Sequence, residues 1–274
     1  MSVPDSMGPY RIGALICRGR EGTEVYECSH PERRERLAIK VIKKAGADMQ
    51  AVDDECAIMR EIDCPQIMPA LDIVDLPEYR AIVMPLAIGG DLFDKIQDGG
   101  GLDERIACQV IYDMLEAIKY LHTNGIWHRN IKPENTLLMD DSDACTIHAA
   151  LGGFGFARRF SEGETCEEYL GTEGYMAPEM YMKKPYDQRV DIWSMGVTMF
   201  VVLSGETPWD LEDKRAMVHR ITHGQYDFDS ERWQSVSEEA KDLIRQMMKV
   251  NPEERISAAD ALKHPWFAKF APNR

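Results

Sequence analysis

A change of hydrophobic period near residue 87 constrains this chain more than any other feature. Before it, short apolar runs suit strands. Tyr10 to Cys17, Val25 to Cys28, Leu37 to Ile42, Ile67 to Val74 and Tyr79 to Met84 read as five of them, with a helix expected around Asp53 to Ile62. A turn near Leu76-Pro77 separates the last two strands, and Ala87-Ile88-Gly89-Gly90 is the connector at which the pattern changes. After it the spacing is helical: Ile106, Val110, Met114, Leu115, Ile118 and Leu121 share one face. Ser237 opens a further helix whose Ala240, Leu243, Ile244 and Met247 form a buried stripe, and Ser257 to Asp260 reads as a capping box. There is no internal repeat. Gly99-Gly100-Gly101 and Asp140-Asp141-Ser142-Asp143 read as surface loops.

Composition narrows the function classes. At 274 residues, 44% hydrophobic and 29% charged, the chain suits one large domain or two lobes. A net charge of -15 disfavours nucleic acid and anionic membrane as partners. It suits a basic partner, although solubility alone accounts for it more simply. No apolar run approaches the ~18 residues of a membrane span, and the N-terminus lacks the form of a signal peptide. Seven cysteines at irregular spacing, with no C-x-x-C pair, suggest reduced thiols and a cytoplasmic location. The seven histidines show no metal-ligand spacing, so no metal site is assigned.

Six strings then carry a resemblance. IWHRNIKPENTLL (126–138) resembles the catalytic loop HRDxKPEN of Ser/Thr protein kinases, with Asn130 in place of its aspartate. LGGFGFARRF (151–160) resembles the DFG segment, with Gly153 in place of that aspartate. GTEGYMAPE (171–179) resembles the substrate-docking segment and DIWSMG (191–196) the central helix. LAIK ends at Lys40 like the third-strand lysine, and ECAIMREI begins at Glu55 like its helix glutamate. The strings follow family order from about Tyr10 to Phe267, and the stretches 186–210 and 236–267 are most similar to calcium/calmodulin-dependent kinases. The implied fold is α+β and bilobal: one protein-kinase-like domain over 1–274, with an antiparallel sheet lobe (1–86) and a larger helical lobe (87–274). No calcium-binding loop follows here, which leaves EF-hand or other modules to lie outside this chain.

The resemblance also implies a site. Val25 and Ala38 above, Leu137 below, Met84 behind and the Pro85-Leu86-Ala87 hinge would enclose an adenine. Lys40 and Glu55 would clamp phosphates or merely tie helix to sheet; Lys132 and Asn135 are further cofactor-binding candidates. The glycine-rich loop is altered. Anchored on Val25, it puts Arg18, Arg20 and Thr23 at the glycine positions; anchored on Gly19 and Gly22, it needs one inserted residue and leaves Cys17 first. Either register puts Glu21 near the tip, opposed to a triphosphate. Met59, His128 and Phe154 are expected to pack in the core between the lobes, and Glu179 with Arg255 to form a structural ion pair.

Asn130 cannot serve as a base, a loss of about 10²- to 10⁴-fold. Gly153 cannot ligate magnesium, which forfeits several kcal/mol of charge neutralisation. The expectation is therefore a pseudokinase, not an enzyme: a regulatory or scaffolding module for protein partners, with ATP a candidate ligand and magnesium weak or absent. The alternative is an enzyme with weak or non-standard nucleotide transfer. The resemblance also implies that Arg129 would meet a phosphorylated activation loop; the segment at that place here, FSEGETCEEYLGT, carries Glu162, Glu164, Glu167 and Glu168 near Thr165 and Tyr169. Glutamate there either substitutes for phosphate or simply makes a solvated acidic loop.

Overall fold

A computed structural model describes residues 3–19, 22–140 and 147–270. One antiparallel sheet contains β1 (Ser6–Met7), β2 (Tyr10–Arg18), β3 (Glu24–Ser29), β4 (Leu37–Lys43), β5 (Asp72–Asp75) and β6 (Tyr79–Pro85), in the order β1-β2-β3-β4-β6-β5. Period-two alternation sorts β4 cleanly. Leu37, Ile39 and Val41 join Tyr10, Ala81 and Val83 in a core on one face. Ala38, Lys40 and Ile42 take the other face. The register Val25↔Lys40, Lys40↔Ile82 and Ala38↔Met84 puts Val25, Ala38, Lys40 and Met84 on that same side.

Helix α1 (Met49–Glu61) crosses this second face, burying Val52, Glu55, Cys56, Ile58 and Met59. It begins four residues before the expected Asp53. The Asp48 carboxylate accepts from the Gln50 and Ala51 amides at 3.1 and 3.2 Å and fixes the first turn there. The strand expected over Ile67 to Val74 shrinks to β5. Pro65 and Pro69 supply no N–H to a ladder, and Ile67 makes only an isolated bridge to Leu151.

Beyond Pro85 the chain is mainly helical: α2 (Leu92–Gly99), α3 (Glu104–Thr123), α4 (Pro178–Tyr181), α5 (Arg189–Ser204), α6 (Lys214–Thr222), α7 (Glu238–Met247), α8 (Ala258–Ala261) and α9 (Pro265–Phe270). The short strands β7 (Ile126–Trp127) and β10 (Arg158–Arg159) pair with each other, as do β8 (Thr136–Leu138) and β9 (Ala149–Leu151). On α3, Val110, Met114, Leu115, Ile118 and Leu121 are fully buried, while Ile106 packs at the margin. Helix α5 is buried on every side from Val190 onward and forms the axis of this lobe. In α7 the four expected residues are the buried ones, and Ser237 caps its start.

Gly99-Gly100-Gly101 is not simply a surface loop. Gly100 closes α2 in a left-handed conformation, and Gly101 is buried; a Cβ on Gly101 would lie 2.8 Å from the Leu203 carbonyl oxygen. Asp140 accepts from the His148 amide at 3.1 Å, whereas Asp141, Ser142 and Asp143 lie outside the described residues. One core cluster runs from Ile42 and Ile82 of the sheet through Met59 and Phe154 to the helical lobe, so the two lobes share their packing. Among the described residues, no helix is long and apolar enough to cross a membrane.

Candidate active site

The cleft lies between the second face of the sheet and the loops around β8 and β9. Lys40 Nζ lies 2.5 and 2.7 Å from the two Glu55 carboxylate oxygens, and the pair is largely buried. A Cβ on Gly155 would lie about as close to Lys40 as to Glu55, at 4.0 and 3.9 Å, so the segment after Gly153 passes directly beside this pair. Ala38 is buried, and Val25, Met84 and Leu137 are half-buried. Leu137 is bridged to Asp91 just beyond the connector, while Gly89 N–H donates to the Leu138 carbonyl at 3.0 Å and Leu138 N–H to the Gly90 carbonyl at 2.9 Å. These bonds anchor the connector to the floor of the cleft. Leu86 has a structural duty that the sequence did not reveal: its N–H donates to the Arg36 carbonyl at 3.1 Å.

The glycine-rich turn closes on itself. Arg18 pairs with Glu24 across β2 and β3, Gly19 N–H donates to the Thr23 carbonyl at 2.8 Å, and Gly22 has φ +74°. The Gly19 amide is therefore engaged within the hairpin rather than offered to a phosphate. Arg20 and Glu21 lie outside the described residues.

Below the cleft, the catalytic-loop backbone is held from behind by Asp191 at the start of α5. Its carboxylate accepts from the His128 and Arg129 amides at 3.0 and 2.7 Å and from His122 Nε2 at 2.9 Å. Burial pushes this carboxyl up, but the His122 bond, His128 and the amide bonds together hold it below the usual carboxylate range. His128 is fully buried; Nε2 meets the Gly152 carbonyl at 2.9 Å and Nδ1 accepts from Asn130 N–H at 3.3 Å. Those partners assign the neutral Nε2–H tautomer, and burial lowers the imidazole pKa in the same sense. His128 packs edge-on against Phe154, and both share the core cluster with Met59.

Asn130 is tightly placed. Its Oδ1 accepts from Thr172 Oγ1 at 2.9 Å, and its carbonyl accepts from Asn135 Nδ2 at 2.7 Å. Lys132 pairs with Glu134 at 3.1 Å. Gly153 is left-handed, with φ +77°, and a Cβ built there would run into the Asn135 amide, with Nδ2 2.6 Å away. Asn135 thus occupies the volume that a side chain at position 153 would need. No sequence pattern announces this, because it depends on what a missing side chain lets its neighbour do.

Arg129 also has a left-handed backbone, with φ 62°. Its Nε donates to the Phe156 carbonyl at 2.8 Å and its Nη1 meets Glu168 Oε2 at 2.5 Å. Arg129 holds the Glu168 carboxyl below the usual range. Glu179 and Arg255 form a buried bidentate pair, both contacts at 2.6 Å, which ties α4 to the loop before α8.

Residues 10–267 match the family model described as a protein kinase domain. The chain belongs to the protein kinase family. This kinase domain is 37% identical over 271 residues to the serine/threonine-protein kinase H1 homolog of Danio rerio, and 35% identical over 271 residues to human serine/threonine-protein kinase H1. Those matches cover 98% of this chain and 64% and 63% of the relatives, so it spans just under two thirds of their length. It is also 37% identical over 246 residues to calcium/calmodulin-dependent protein kinase type II of Caenorhabditis elegans, which covers 88% of this chain and 34% of that one. The family and the calcium/calmodulin-dependent-like group follow.

These matches correct the expectation of a pseudokinase that is not an enzyme. Relatives at 35–37% identity over nearly the whole domain are named serine/threonine kinases, and they point to an enzyme. That expectation rested on the side chains at Asn130 and Gly153, with an altered glycine-rich loop beside them. Phosphoryl transfer depends on positioning together with electrostatic stabilisation, and the positioning parts, the Lys40–Glu55 pair, the Asp191 brace and the Thr172–Asn130 bond, are all assembled. A kinase domain carries ATP binding with it as a family property.

Proposed function

We propose that this domain is a Ser/Thr protein kinase-like enzyme with weak or non-standard nucleotide transfer, working on ATP with little help from magnesium. The intact Lys40–Glu55 pair, on the sheet face that also carries Val25, Ala38 and Met84, is the observation that carries the reading.

Magnesium, which the family implies, fits the residues poorly. Gly153 offers no side chain, and the Asn135 amide in its place presents a single neutral ligating oxygen, its Nδ2 donating to the Asn130 carbonyl. A hard divalent cation favours carboxylate oxygens. The chain's own groups then have to act alone. Lys40, oriented by Glu55, would hold the α- and β-phosphates, and Lys132 would lie toward the transferring group. Asn130, held by Thr172, would accept a hydrogen bond from the acceptor hydroxyl and orient it. The hydroxyl oxygen bonds to the γ-phosphorus as the bond to the β–γ bridging oxygen breaks. ADP leaves, and the proton passes to a phosphate oxygen or to solvent because an amide cannot take it. Loss of the base alone slows a family turnover of ~1–100 s⁻¹ by about 10²- to 10⁴-fold.

The net charge of -15 supports a basic polypeptide as acceptor. The six described cysteines, all free thiols, support a cytoplasmic setting.

The test pairs binding with transfer. ATP at 100 times its dissociation constant adds about 2.7 kcal/mol, or roughly 5–11 °C at 2–4 °C per kcal/mol. That shift should be lost in Lys40→Met and change little with EDTA. Micromolar enzyme with γ- or α-labelled ATP and a Ser/Thr-containing basic peptide should label the peptide over hours, in a Lys40-dependent way. Nucleotide binding without label from either position would overturn the enzyme reading.

A further inference from the structure

We propose that His219 and His223, at the C-terminal end of α6, form a two-imidazole site for a late first-row divalent cation such as nickel, copper or zinc. The inference rests on that helix end and not on the transfer reading.

The sequence reading assigns no metal site to the histidines; the structure brings two of them together. An interval of four residues sets side chains over one another on a helix face. The rings of His219 and His223 stack almost parallel, with an interplanar angle of 18° and 4.2 Å between centroids, and both residues are exposed. Two nitrogens bound at about 2.0–2.1 Å to one tetrahedral ion stand about 3.3 Å apart. Rotation of two exposed side chains reaches that separation without moving the helix.

The His223 ring is already set as a ligand. Its Nδ1 lies 2.8 Å from the His219 carbonyl oxygen, which can only accept, so Nδ1 carries a hydrogen and the neutral ring keeps a lone pair on Nε2. A metal-bound histidine commonly donates its second ring N–H to a backbone carbonyl in this way. The same carbonyl accepts from the His223 amide at 3.2 Å, and Thr222 Oγ1 donates to the Val218 carbonyl at 2.8 Å, so the turn carrying both rings is fixed. A helix C-terminus favours a cation. Arg220, the charged neighbour that would oppose one, turns to the Gln225 carbonyl at 3.1 Å and to Asp227 at 3.5 Å. Among the described residues no group of three or more His, Cys, Asp and Glu side chains could hold a metal ion, so the protein supplies two ligands here and water the others. Imidazole donors suit nickel, copper and zinc, whereas magnesium favours oxygen.

The experiment titrates the whole untagged chain with nickel(II) by calorimetry, with magnesium as the control ion. His219→Ala and His223→Ala should each weaken nickel binding roughly tenfold or more. His148→Ala, which removes an exposed histidine paired with Asp140 instead, should leave the affinity unchanged. Saturating nickel should slow amide hydrogen exchange across 219–225 in wild type and in neither α6 variant, and magnesium should do so in none of them. Metal-free melting temperatures, expected to match wild type, separate loss of binding from loss of fold; where one falls, the corresponding His→Gln variant takes its place. Equal nickel affinity in wild type and both α6 variants would overturn the proposal and leave the rings merely stacked. So would an equal loss in His148→Ala, or no binding at millimolar nickel.

Discussion

Asn130→Asp is the most direct perturbation of the proposed chemistry. The substitution changes one nitrogen to oxygen and leaves the frame intact: the Thr172 hydroxyl still has an acceptor at 2.9 Å, the backbone amide still meets His128, and the Asn135 amide still bonds the backbone carbonyl. One carboxylate oxygen remains engaged by Thr172, and the second is free to take the proton of the acceptor hydroxyl. A positioned base contributes about 10²- to 10⁴-fold, equivalent to about 3–5 kcal/mol at 1.36 kcal/mol per decade. Turnover of a basic Ser/Thr peptide, followed with γ-labelled ATP, should therefore rise at least hundredfold. The melting temperature should stay within a few degrees, and the ATP-induced shift should not change. The variant should also acquire an acid limb in its pH–rate profile as the new carboxylate protonates, where wild type shows none. A rise of less than threefold, with stability and ATP binding preserved, would mean that position 130 does not face the reacting hydroxyl, and the proposed mechanism would fall.

Three further predictions concern the frame around that residue. Gly153→Asp should destabilise by about 2–4 kcal/mol, from left-handed strain of about 1–3 kcal/mol and about 1 kcal/mol for the displaced Asn135 hydrogen bond. Denaturant midpoints check it, and adding Asn135→Ala should recover part of the loss; a neutral single variant would show that Asn135 moves aside freely. Glu179→Gln leaves Arg255 buried without its anion, so it should cost about 3–5 kcal/mol, a loss that calorimetry would read as a fall of roughly 6–20 °C. Asp191 is held below its unfolded value of ~3.9, so its contribution is full above that pH and is lost as pH falls through the depressed folded value. Melting temperatures of wild type and Asp191→Asn should accordingly converge below about pH 4, and parallel curves across pH 3–7 would refute that assignment.

The parts of this site legible in the sequence are those fixed by period and by main-chain register. Once Leu37 to Ile42 is read as a strand, alternation alone separates Ala38 and Lys40 from Ile39 and Val41, and pairing adds Val25 and Met84 to the cleft side. The stripe of α7 and the Ser237 cap follow equally from spacing. Where the reading slipped locally, the competing signal was present but discounted: Pro65 and Pro69 break the strand drawn from Ile67 to Val74, and Asp48 marks the true start of α1. The structure adds what no period encodes, the response of one side chain to another. Asn135 lies in the volume beside Gly153, and among four neighbouring glutamates only Glu168 is brought within reach of a buried arginine. Activity was not legible in the same way: two missing carboxylates are not two missing positions, because Asn130 remains bonded to Thr172 and the buried Lys40–Glu55 pair stays intact above it. Positioning can outlast the loss of individual charges, and restoring the charge at 130 measures how much of the chemistry that positioning still supports.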